Sequence, residues 1–265
     1  MSKSFDRLAK IVSRLRRRRG GCPWDLKQTQ DSLKPFLIEE VYEAIEAIES
    51  KKNARMIEEL GDLLYQVLFH AQIAKEQGRF TIQDILKAIA EKMVRRHPHV
   101  FRRRKSDGRG PNAEEVLVRW EELKAGEKGN RHRTSVLDGI PKQLPSLVRA
   151  QQLQSRAARV GFDWPAIGPV VKKVREELRE FEKAKRSRSK TRMEEELGDV
   201  LFSLVNLARF LKINTEDALR STTRRFIRRF QYIERAAAKR RMPVRDLSPS
   251  EMNRLWEEAK RRLRN

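Results

Sequence analysis

Cysteine is almost missing from this chain. Cys22 is the only thiol in 265 residues, so no intrachain disulfide can form, and this usage fits a reducing, cytoplasmic setting. Glycine and proline are scarce, at 12 and 10, while Glu, Lys, Arg, Leu and Ala abound, which argues for a mostly helical chain. Val and Ile never form a long alternating run, so little or no sheet is expected. No apolar run approaches the roughly 18 residues that a membrane helix needs. Met1 to Arg19 is basic and amphipathic, but it lacks the apolar stretch and small-residue cleavage site of a secretory leader. Acids are outnumbered: 37 Asp and Glu face 60 Lys and Arg, for a formal charge of +23. Such a balance attracts polyanions, whether nucleic acid, nucleotides or phosphate-rich surfaces. It equally describes solvated basic faces, because the bases are scattered while the acids are patterned.

The acid pattern occurs twice. Glu39-Glu40-Val41-Tyr42-Glu43 precedes Glu58-Glu59-Leu60-Gly61-Asp62, and Glu176-Glu177-Leu178-Arg179-Glu180 precedes Glu195-Glu196-Leu197-Gly198-Asp199. Glu40 to Glu177 and Asp62 to Asp199 are both separated by 137 positions. Residues three apart share a helix face, so Glu40 with Glu43, and Glu59 with Asp62, present paired carboxylates. Antiparallel packing of the two helices would converge four acids, which repel unless a cation lies between them. Oxygen-only ligation suits a hard ion, Mg²⁺ or Mn²⁺. A di-iron bundle site needs Glu-x-x-His pairs, and no histidine (His70, His97, His99, His132) lies three after a Glu. A single copy would read equally well as a solvated acidic face; the identical register of two favours metal.

Duplication predicts two helical domains, residues 1–125 and 146–265, joined by a polar linker over 126–145 with its Gly and Pro. In the first, helices are expected over about 4–18, from about Asp31 onward, and over about 54–75, 82–96 and 112–124. Gly20 to Asp25 breaks the first helix, Pro98 ends the fourth, and 102–111 forms a basic loop. In the second, they are expected over about 147–160, 169–185, 192–212 and 215–239, with a last one capped by Ser248 and Glu251. Outside the acids, Arg55-Met56 matches Arg192-Met193, Trp120 matches Trp256, and Trp24 matches Trp164. These tryptophans are either core anchors or flat surfaces on which a base could stack.

Gly21-Cys22-Pro23-Trp24-Asp25 with Gln28-Thr29, then Arg95-Arg96-His97-Pro98-His99-Val100-Phe101, then Gly161-Phe162-Asp163-Trp164, together with the acid motifs, resemble the two-domain MazG family of nucleoside triphosphate pyrophosphohydrolases. The resemblance spans nearly the whole chain. It implies an all-α fold of tandem helical bundles and a homodimer. It also implies Mg²⁺-dependent cleavage of nucleoside triphosphates between the α and β phosphates, a clean-up of the nucleotide pool. On the family pattern, Glu177, Glu180, Glu196 and Asp199 hold metal, as do Glu40, Glu43, Glu59 and Asp62 in the first copy. The C-terminal copy turns over, and the substrate residues fall on Arg192, Arg225, Arg229 and Trp256, with Trp164 beside them. The chain departs from the family where Asn-x-Lys-Phe reads Thr223-Arg224-Arg225-Phe226, and where Arg192 replaces a lysine. Arginine keeps the charge as a planar fork rather than a compact ammonium. In the first copy Lys92 and Ala90 occupy the places of Arg225 and Thr223, which removes part of the substrate shell.

Arg225 and Arg229, one helical turn apart, suit a phosphate clamp. Glu176 either orients or deprotonates the attacking water, or accepts a supporting hydrogen bond. No P-loop, Ser-His-Asp or Cys-His arrangement offers a rival mechanism. A different class of function stays open: a basic, helical, nucleic-acid- or partner-binding protein on an inactive hydrolase scaffold.

Overall fold

Residues 3–101, 112, 115, 116, 120, 123 and 135–263 are described by a computed structural model, and every regular element among them is helical. The chain condenses into two compact units, Met1–Asn130 and Arg131–Asn265. No helix among the described residues is long and apolar enough to cross a membrane.

The first unit contains α1 (Lys3–Leu15), α2 (Pro23–Lys27), α3 (Lys34–Ser50), α4 (Asn53–Glu76), α5 (Ile82–Arg96) and α6 (Pro98–Phe101). A two-residue connection folds α4 back along α3, and the buried Ala44 and Ala47 let the helices approach. Lys51 ends α3 in the left-handed region, at φ 56°. The core joins α1 to α4 through Val12, Leu33, Leu68, Phe69 and Ile73. Arg16, just beyond α1, fastens the following loop to α4. Its guanidinium donates to Glu76 at 2.7 and 3.0 Å and to the Gln28 carbonyl at 3.2 Å, and it also donates to the Asp25 carbonyl. It lies 5.3 Å over the Phe69 ring. The buried Asp25 carboxylate accepts from the Tyr65 hydroxyl at 3.1 Å. Burial, then the charge of Asp25, pushes the Tyr65 phenol up, so it stays a donor.

The second unit contains α7 (Ser146–Arg159), α8 (Ile167–Ser187), α9 (Lys190–Phe210), α10 (Thr215–Lys239), a 3₁₀ turn (Val244–Asp246) and α11 (Pro249–Arg262). The duplication extends to the backbone of the hairpin turn. Arg188, 137 positions after Lys51, ends α8 at φ 54°, and Ser50 and Ser187 both donate to the alanine carbonyl three residues back at 2.7 Å. Asn214 caps α10, and a reciprocal Ser248–Glu251 box caps α11. Ile233, Ala237, Leu247 and Leu255 form the core where α10 meets α11, with Trp256 packed against it.

Helix positions follow the sequence reading closely, with three differences. The stretch read as a pure break holds α2, which starts at Pro23, a residue suited to a first helical turn. Pro98 ends α5 but also opens the short α6. Helix α3 begins at Lys34 rather than near Asp31, because Thr29 and Ser32 exchange side-chain-to-backbone bonds at 2.9 and 3.1 Å that hold a turn. The expected basic loop over 102–111 lies outside the described residues, as does most of the expected 112–124 helix. Linker residues up to 134 lie outside them too. Residues 135–145 pack on the second unit: Ile140 is buried, and Arg156 donates to the carbonyl of Asp138 at 2.5 Å.

Phe69 is 1% exposed and carries both the core and the Arg16 guanidinium. Phe69→Ala is expected to destabilise the first unit by about 3–5 kcal/mol. Chemical denaturation followed by fluorescence, in a background that keeps Trp24 alone of the four tryptophans, checks this, since Trp24 lies in α2, to which Arg16 donates at the Asp25 carbonyl.

Candidate metal centre

Two helix hairpins carry the acids, and each draws three of its four together. On α8 and α9, carboxylate oxygens of Glu177, Glu196 and Asp199 lie within 4.8 Å of one another. On α3 and α4 the same holds for Glu40, Glu43 and Glu59. The fourth member differs between copies. Glu180 stands outside the second triplet and Asp62 outside the first, though both still act electrostatically on the neighbouring acids. Glu177 and Glu59, at 6% and 9% exposed, form the buried corner of each cluster. Desolvation first, then Glu180, Asp199 and Glu177, raises the pKa of Glu196. Desolvation and the neighbouring acids likewise raise that of Glu40, against a hydrogen bond from Gln66. Carboxylate oxygens gathered this closely, each set with one buried member, fit a hard divalent cation.

Basic side chains offset part of this charge, and differently in each copy. In the second unit Lys173 lies 2.8 Å from both Glu176 and Glu177. The hydrogen bonds that Lys173 donates to Glu176 and Glu177 push its ammonium up, and Lys173 in turn lowers Glu176. In the first, Arg55 reaches Glu46 at 3.0 Å and Glu59 at 3.5 Å. Its counterpart Arg192 is exposed, and its guanidinium has no partner among the described residues.

A cavity of about 760 Å³ opens beside the second cluster. Glu177, Asp199 and Lys173 form one side; Leu153, Ala157, Phe202 and Trp164 supply apolar surface. Of the residues expected to bind substrate, Trp164 alone lines this cavity. Arg229 and Trp256 meet elsewhere, with the guanidinium 5.5 Å over the indole and Phe226 5.4 Å from it. Trp256 therefore carries both readings, packed on the α10–α11 core and offering a cation-bearing aromatic face. Arg225 is exposed and donates to Ser221 and Thr222 at 2.8 and 2.7 Å. In the first unit Arg96 covers Trp120 at 4.9 Å, while Trp24 sits edge-on to Phe36.

Lys173, Ser203, Asn206 and Arg209 escaped the sequence reading. The signal was present for Ser203 and Asn206, which follow Asp199 by four and seven residues on the same face of α9. Their small polar side chains do not stand out without the cavity they line.

The sequence profile of the MazG nucleotide pyrophosphohydrolase domain matches residues 28–101 and 169–233, one stretch around each acid cluster and together more than half the chain. The chain belongs to the MazG family. It is 45% identical over 259 residues to the nucleoside triphosphate pyrophosphohydrolase of Escherichia coli K12, covering 97% of each. It is 46% identical to the MazG nucleoside triphosphate pyrophosphohydrolase/pyrophosphatase of Thermotoga maritima, covering 97% of this chain and 95% of that protein. A solved MazG-related protein from Thermotoga maritima is 31% identical and covers 45% of this chain and 97% of its own, with a TM-score of 0.38. Both profile matches contain a complete acid set, so each copy of this MazG chain carries a cluster with the donors for a metal ion.

The raised Glu196 has a definite linkage sign. A carboxyl whose folded pKa exceeds its unfolded value binds a proton more tightly when folded, so stability falls as pH rises from the ordinary Glu range through the raised pKa. A divalent cation bound at the cluster would displace that proton. Mg²⁺ should therefore raise the melting temperature more at pH 7.5 than at pH 4.5, measured by calorimetry against chelator controls.

Proposed function

We propose that the second unit hydrolyses nucleoside triphosphates to a nucleoside monophosphate and pyrophosphate with Mg²⁺, or Mn²⁺, in the cytoplasm, and so removes unwanted nucleotides from the pool. The observation that carries this reading is the Glu177–Glu196–Asp199 triplet, two of whose members, Glu177 and Asp199, line a cavity with apolar and cationic residues. Membership of the MazG family and the names of the two full-length relatives support the reaction class.

Glu177, Glu196 and Asp199 would hold the ion, with Glu180 close enough to join them. A divalent ion bound there supplies charge neutralisation, polarisation of the α-phosphate and hydroxide at neutral pH. Lys173 pairs with Glu177 at 2.8 Å and adds positive charge beside the cluster, where phosphate oxygens would approach. Glu176 is exposed and held below the usual carboxylate range by Lys173. This weakens it as a base and favours its role as an acceptor that orients water. Arg192, unpaired and exposed, is available to phosphate oxygens, and Arg225 and Arg229 extend the cationic surface on α10.

A homodimer is supported by the apolar residues each hairpin leaves exposed. Val41, Leu60, Leu64 and Val67 recur 137 positions later as Leu178, Leu197, Leu201 and Leu204, and all are at least 39% exposed. Matched stripes of this kind suit burial against a second copy. Light scattering at micromolar concentration should give twice the 31.2 kDa chain mass.

Incubation with a panel of triphosphates should release pyrophosphate and monophosphate, stop with chelator, and resume with Mg²⁺. Release of inorganic phosphate and diphosphate would place the cut elsewhere; full turnover in chelator would remove the metal. Asp199→Ala should lower kcat/KM by about a hundredfold or more, because metal placement serves several roles at once. Asp62→Ala should cost far less; the reverse order would assign turnover to the first unit.

A further inference from the structure

The polar wall of the cavity has a donor whose direction is fixed by its neighbours. Asp163 accepts two hydrogen bonds from the Arg209 guanidinium, one of them at 3.0 Å, and also caps the Trp164 backbone N–H at 2.8 Å. The same guanidinium donates through Nε and Nη2 to Asn206 Oδ1, at 3.0 and 2.8 Å. A guanidinium has donors only, so the atom facing it must be the amide oxygen, and the Asn206 amide cannot flip. Its Nδ2, carrying two N–H donors, has no partner among the described residues. Asp163, Arg209 and Asn206 all line the cavity, next to Trp164 and the carboxylates of Glu177 and Asp199.

The first copy lacks this arrangement. The residue 137 positions before Asn206 is Phe69, sealed in the core beneath Arg16, and the one before Arg209 is Gln72. Acid triplets are thus present twice, while among the described residues an amide oriented by an arginine, with its own donors left unpartnered, stands beside the second alone; in the first, the Gln66 amide donates to Glu40 itself.

We propose that Asn206 reads the nucleobase, donating from Nδ2 to a carbonyl oxygen or ring nitrogen on the base edge, with Arg209 and Asp163 as positioning residues. The proposal rests on the nucleotide reading of the site and adds where the base is recognised and which copy can do so. The apolar lining and Trp164 give the base a face to rest on, and Glu177 and Asp199 in the same lining would take the phosphates through a cation. A donor held rigid before binding loses little entropy when it engages, so its contribution falls on affinity.

Binding, measured separately from turnover, tests this. The probes are the four α,β-methylene ribonucleoside triphosphates and inorganic tripolyphosphate, titrated with Mg²⁺ by calorimetry against the full chain. Asn206→Ala should weaken the best-bound nucleotide by about tenfold, as one lost hydrogen bond allows, and leave tripolyphosphate within about twofold. Arg209→Met should reproduce that selective loss if it acts through Asn206, and the double variant should add little to either. Equal losses for nucleotide and tripolyphosphate, or none for any nucleotide, would overturn the proposal. Asn206→Ser, with less change in packing, guards against a variant that fails to fold. Turnover decides the other question: a wild type that binds nucleotides through Asn206 yet releases no pyrophosphate would reject the hydrolase reading and keep this one.

Discussion

Repulsion between carboxylates held on adjacent helices is the constraint around which each unit is arranged. Three acids within 4.8 Å, one of them nearly buried, are unfavourable together without positive charge close by. Each unit relieves the strain in part, through Lys173 in one and Arg55 in the other. The hairpins are built to hold the acids close in spite of it. Buried alanines let α3 approach α4, and a left-handed residue reverses the chain in two positions at each turn. Both reversals use a basic residue, Lys51 and Arg188, where glycine is the commoner choice, which places positive charge at a helix C-terminus.

From this shared hairpin the two copies diverge in what surrounds it. The first unit invests its loop and opening helix in a closed core, with Arg16 spanning Glu76, the loop carbonyls and Phe69. The second leaves space at the same place. Its arginine comes from α9 instead, and Arg209 turns toward Asp163 and Asn206 at the rim of a cavity. The same acid hairpin thus stands once beside a closed core and once beside a cavity.

Net charge and local charge act at different ranges here. The excess of 23 positive charges raises the local concentration of polyanionic ligands, an effect screened within about 8 Å at physiological salt. At the cluster the acids dominate, so a triphosphate drawn in by the whole surface meets carboxylates at the end of its approach. A divalent cation that accompanies it reconciles the two fields.

Much of this was legible in sequence because helices are local. Periodic apolar positions, Ser248 as a cap, and the 137-residue register gave the all-α class, the elements and the acid faces, which rest on residues within one or two turns. The turn at Thr29–Ser32 and the short α2 were hidden, since side-chain-to-backbone bonds decided them. Tertiary structure alone decided that three acids rather than four meet in each cluster, that Trp164 lines the cavity with Glu177 and Asp199 while Arg229 stacks on Trp256 outside that lining, and that Asn206 is oriented by an arginine bound to Asp163, 46 positions from it. The reason is physical: a helix face is set by 3.6 residues per turn, whereas the distance between two faces depends on every side chain packed between them.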